Sequence, residues 1–112
     1  MSKNMQITVT IRPFYIKDFE GTYPKLGRAL RYVDSDFINQ NPSLYELTGQ
    51  IDKLLYRIDG TSIREILIQH KDELKKIYNT IQESIANWKL SETDKLLYCI
   101  EDIFEKIEFE LE

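Results

Sequence analysis

The sequence predicts a mainly α protein, a compact bundle of about four helices with an N-terminal β-strand. A short C-terminal strand is one candidate to pair with it. Three observations carry this prediction. A serine stands three residues before a carboxylate at Ser43 with Glu46, Ser62 with Glu65 and Ser91 with Asp94. Each of these is followed by apolar residues at steps of three and four, the spacing of one helix face. Residues Ile7 to Ile11 instead alternate apolar with polar, the period of a half-buried strand.

The strand pattern comes first: Ile7, Val9 and Ile11 alternate with Thr8, Thr10 and Arg12, and Pro13 restricts further pairing. A lone strand leaves backbone donors and acceptors unpaired, so it needs a partner. The first helix begins near Pro24, a favoured first helical residue, buries Leu26, Leu30, Val33 and Phe37, and closes at Asn41-Pro42. From the Ser43 cap, Leu44, Leu47, Ile51, Leu54 and Ile58 form the second stripe, ended by Asp59-Gly60. The third and longest helix runs from Ser62 through Trp88 with Ile63, Leu67, His70, Leu74, Ile77, Ile81 and Ile85 on its inner face. The fourth starts at Ser91 and buries Leu96, Leu97, Ile100, Ile103, Phe104 and Ile107. Its last residues also alternate strictly, so residues 107–112 fit either the end of that helix or a strand. Such a strand could pair with the first one, with Phe14 to Ile16, or with another chain.

The chain reads as a single domain over residues 1–112, long enough to bury a core without staples. With 42% apolar and 30% charged residues it has the composition of an ordinary globular protein rather than a disordered one. Its lone cysteine, Cys99, cannot close an internal disulfide. No signal-peptide pattern and no membrane-length apolar run stand in the chain, so a cytoplasmic protein is expected. The net charge of −4 argues against general affinity for nucleic acid.

No catalytic, cofactor or metal motif emerges, and an enzyme is not expected. His70 lies on an apolar stripe with no second histidine or cysteine to complete a zinc site, and reads as a core or rim residue satisfied by a hydrogen bond. Cys99 reads as an inert, partly buried thiol. Asp34, Asp36, Asn39 and Asn41 lack the glycine and glutamate of a calcium loop and read as a polar turn. Lys25, Arg28 and Arg31 step along one helix face and would be the phosphate contacts of a nucleic-acid binder, but read better as a solvated face.

Charge is where the chain is unusual. Ser91 to Glu112 holds eight acidic side chains against two lysines, whereas residues 1–90 carry thirteen basic and eleven acidic groups. On a helix Glu101, Glu105, Glu108 and Glu112, at steps of four, three and four, form one acidic ridge facing away from the core. Tyr98, Glu101, Asp102, Glu105, Glu108, Phe109 and Glu112 therefore form the candidate partner-binding set, acidic groups for steering and aromatics for anchoring. The expected function is a small protein-binding inhibitor. Its most concrete form is a bacterial immunity or antitoxin protein that neutralises a basic toxin such as a nuclease. The alternatives are a self-associating adaptor, in which a homodimer forms through the N-terminal segment or the long helix, and a small helical nucleic-acid regulator.

Overall fold

The computed structural model describes residues 3–111, and among these it contains seven helices and no strand. They are α1 (Phe19–Thr22), α2 (Pro24–Val33), α3 (Ser35–Asn39), α4 (Leu44–Gly49), α5 (Ile51–Arg57), α6 (Ser62–Ala86) and α7 (Leu90–Glu110). The mainly helical fold agrees with expectation. The N-terminal and C-terminal strands do not.

The C-terminal correction has a simple cause. Ile107 and Leu111 are four residues apart, so they share a helix face as readily as a strand face. Both are buried, continuing the stripe of Ile100, Ile103 and Phe104. Phe109 decides between the two geometries. On a helix it points away from Ile107, and it is 87% exposed. With no strand at the C-terminus, the N-terminal residues have no ladder to join. They run as an extended arm along the helices, and the alternation survives as burial: Val9, Ile11, Pro13 and Tyr15 are half-buried, while Thr8, Thr10, Arg12, Phe14 and Ile16 are exposed. Tyr15 fastens the arm, its hydroxyl donating to the Pro42 carbonyl at 2.7 Å.

Two of the four expected helices are broken. Asp34 interrupts the first: its carboxylate accepts from the Phe37 N–H at 3.1 Å and so starts α3 as an N-cap. Its other oxygen holds Arg57 at 2.7 Å. The second breaks after Gly49, a weak helix former, where an added Cβ would crowd the Tyr78 ring at 3.0 Å. The break lets α4 pack against both α6 and α7 while α5 packs along α6.

Of the three serine caps, Ser43 works as expected, accepting from the Glu46 N–H at 3.1 Å. Ser62 and Ser91 lie inside their helices, Ser62 one residue beyond the N-cap Thr61 and Ser91 two beyond the N-cap Lys89. The reason at Ser91 is the turn before it. α6 ends at Ala86, and Trp88 takes φ 59°, a left-handed conformation that lets the Trp88 and Lys89 N–H groups reach the Ile85 and Ser84 carbonyls. Trp88 therefore lies in a turn, half-exposed, rather than on the inner face of α6. The short turn folds α7 back along α6, and this hairpin is the main packed pair of the molecule. Ser84 and Thr93 close its end with a buried hydroxyl pair at 2.5 Å.

Candidate interaction face on α7

The core fixes which way α7 faces. Ile100, Ile103, Phe104 and Ile107 turn inward, so the positions opposite them must look outward. Tyr98, Asp102, Glu105 and Phe109, at steps of four, three and four, form that outward stripe. All are exposed, Tyr98 by 61% and Phe109 by 87%. Glu101 lies on one flank of it.

On that flank a cleft of about 500 Å³ separates α7 from the arm. Residues Ile11 to Ile16 border one side, and Asp94, Leu97, Tyr98, Ile100, Glu101 and Glu105 the other. The Glu101 carboxyl is pushed above the usual range, first by partial burial and then by the charges of Glu105, Asp102 and Asp94. Among the described residues, none of these four carboxylates lies within ion-pair distance of a basic group.

One member of the expected set does not belong to this face. Glu108 turns toward α2, where its two oxygens accept from the Lys25 and Leu26 N–H groups, each at 3.0 Å. Tyr23, the N-cap of α2, offers no side-chain cap, so a glutamate from α7 supplies one across the molecule. Lys25 returns the link, its ammonium donating to the Leu111 carbonyl at 2.9 Å. Glu112 lies outside the described residues. The acidic ridge expected from Glu101, Glu105, Glu108 and Glu112 therefore divides, and Asp94, four positions before Tyr98, joins the remaining face. Helical spacing alone could have placed Asp94 there; the arm as opposite wall of the cleft left no such signal.

The other candidates resolve in place. His70 is mostly buried, and its Nε2 stands 3.6 Å from Glu110 Oε1 without a hydrogen-bond partner, so the expected bond is not made. Cys99 is exposed rather than partly buried, because it falls on the flank of α7 away from the arm. Asp34 and Asn41 are structural. The first caps α3, and the second accepts from the Phe19 N–H at 2.7 Å. The basic steps on α2 are largely consumed internally, since Arg31 pairs with Glu20 and Asn39 while Lys25 holds α7. No three His, Cys, Asp or Glu side chains gather as a metal site among the described residues. No helix there is long and apolar enough to cross a membrane. Set against known proteins, the chain matches no family model, no curated protein and no solved structure.

Proposed function

We propose that the protein is a binding protein rather than an enzyme, an inhibitor of the immunity or antitoxin kind that neutralises a basic partner such as a nuclease. One observation carries the reading. The outward stripe of α7 sets two exposed aromatic rings, Tyr98 and Phe109, at either end of a row of carboxylates that form no ion pair with a basic group among the described residues. Crowded like charges cost stability in the free protein, and a cationic surface would relieve them. Exposed aromatic rings supply contact area at low entropic cost. Acidic groups speed the encounter, and the rings hold the complex once water is excluded.

The test is purification of the protein together with the product of the gene next to its own, followed by binding measurements on variants. Phe109→Ala should weaken the complex by at least about tenfold, chiefly through faster dissociation. Asp102→Asn with Glu105→Gln should slow association and flatten its dependence on salt. Absence of any complex, or a complex indifferent to all three changes, would refute the reading.

A further inference from the structure

Residues 5–15 run without a bend and make no backbone hydrogen bond among the described residues, and their burial alternates from Val9 onward. Met5 and Ile7, both apolar, are each 75% exposed. The segment Ile7-Thr8-Val9-Thr10-Ile11 also reads the same in both directions. An antiparallel pair of two such segments centred on Val9 is self-complementary, as a two-fold interface requires. Ile7 falls opposite Ile11, Thr8 opposite Thr10, and Val9 opposite its twin. These are pairs of β-branched residues, which favour a ladder.

We propose that the arm is a dimerisation element, pairing antiparallel with the arm of a second copy so that residues 3–7 of each copy fill the other's cleft between arm and α7. Within one chain the arm stays unpaired, and the ladder exists only between two. The register that aligns the two Val9 residues sets the second copy's Met5 opposite Pro13 and its Lys3 opposite Tyr15. Odd-numbered residues from Val9 to Tyr15 face the helices, and opposed residues of an antiparallel pair share a face, so the second copy's Ile7 and Met5 enter the cleft against Leu97 and Ile100. Its Lys3 then approaches Asp94, Glu101 and Glu105. Residues 3–17 carry Lys3, Arg12 and Lys17 and no acidic group, so each copy's arm is complementary in charge to the other's α7. Pro13, which has no N–H to donate, stands near the end of the ladder, where it does least harm. This inference uses the cleft flank of α7 and not its outward stripe, with Tyr98 and Glu105 bordering both.

Cysteine scanning in a Cys99→Ser background tests the register. Val9→Cys should cross-link to itself under mild oxidation, since directly opposed Cβ atoms lie within about 4.5–5.5 Å. Thr8→Cys alone should not, yet should cross-link when mixed with Thr10→Cys. Sedimentation tests the cleft. Lys3→Glu should raise the dimer dissociation constant at least about tenfold by placing like charges together. Adding Glu101→Lys in the same chain should restore it. Circular dichroism confirms that each variant keeps its helices. A chain that sediments as a monomer at every concentration, cysteines that cross-link equally along the arm, or no rescue by Glu101→Lys would each overturn the proposal. None of these measurements involves a basic partner protein, so the outcome is independent of the inhibitor reading.

Discussion

Asn41 shows how much one side chain can carry. It sits at φ 56°, where most residues are strained, and its Oδ1 satisfies the Phe19 N–H at the start of α1. Phe19 itself is almost fully buried, with Tyr15 and Tyr23 packed on its ring. Asn41→Ala removes the acceptor and keeps the strained backbone, and should cost about 2 kcal/mol in urea unfolding. Asn41→Gly relieves the backbone alone and should fall between that variant and wild type. Tyr23 is the residue that ties burial to pH. Its ring packs on Phe104, and burial together with the charges of Glu101, Glu105 and Glu108 pushes its phenol up to about 12. An ordinary tyrosine in the unfolded chain ionises near 10, so the folded state holds this proton longer. The stabilisation is complete below pH 10 and is lost as pH rises toward 12. Tyr23→Phe should flatten the alkaline limb of a stability profile. An unchanged limb would assign the loss to other groups, among them Tyr15, whose phenol burial also raises.

At the scale of elements, carboxylates that look alike in sequence separate by what they hold. Glu108 closes the N-terminus of α2, and Glu108→Ala should cost about 1–2 kcal/mol. Asp102 touches nothing that depends on it, and Asp102→Asn should stay within about 0.5 kcal/mol. Equal effects in thermal unfolding would contradict the division of the acidic segment into a structural and a free part. Gly27 makes a second case. It lies where α2 crosses α1, and a Cβ there would meet the Glu20 Cγ at 2.8 Å and Cα at 3.1 Å. Alanine is the better helix former, yet Gly27→Ala should destabilise by about 1 kcal/mol or more, because backbone cannot move aside. Much of this level was legible beforehand. The stripes on α6 and α7, the Ser43 cap and the positive φ of Gly60 all follow from local spacing and local chemistry. The breaks at Asp34 and Gly49 were not legible, since an aspartate and a glycine inside a helical pattern are tolerated until a neighbour makes the bend worthwhile. Those neighbours, Arg57 and Tyr78, are distant in sequence.

Across the whole molecule, charge and fold are set against each other. Acid should act in two directions. Glu20 and Asp52 are held below the usual carboxyl range, chiefly by hydrogen bonds from Arg31 and from Lys75. Their contribution is present above pH 4.5 and is lost as pH falls through their lowered values. Glu101 has the opposite sign, because its raised carboxyl favours the protonated form in the fold. Stability tied to it is greatest below pH 4.5 and declines as pH rises through that region. Glu101→Gln should therefore stabilise the free protein at neutral pH while weakening the arm-exchanged dimer, a trade visible by comparing thermal unfolding with sedimentation.

The sequence by itself determined the helical class, the buried stripes and the concentration of negative charge on the last helix. Each of these depends on residues a few positions apart, where spacing alone decides which side chains share a face. Only the tertiary structure decided the rest. It withheld a partner from the alternating arm, carried the last helix on to Glu110, and took Glu108 out of the acidic ridge to cap α2. Those outcomes depend on which groups meet across the chain, and burial and unpaired backbone, not local pattern, select among the alternatives the pattern leaves open.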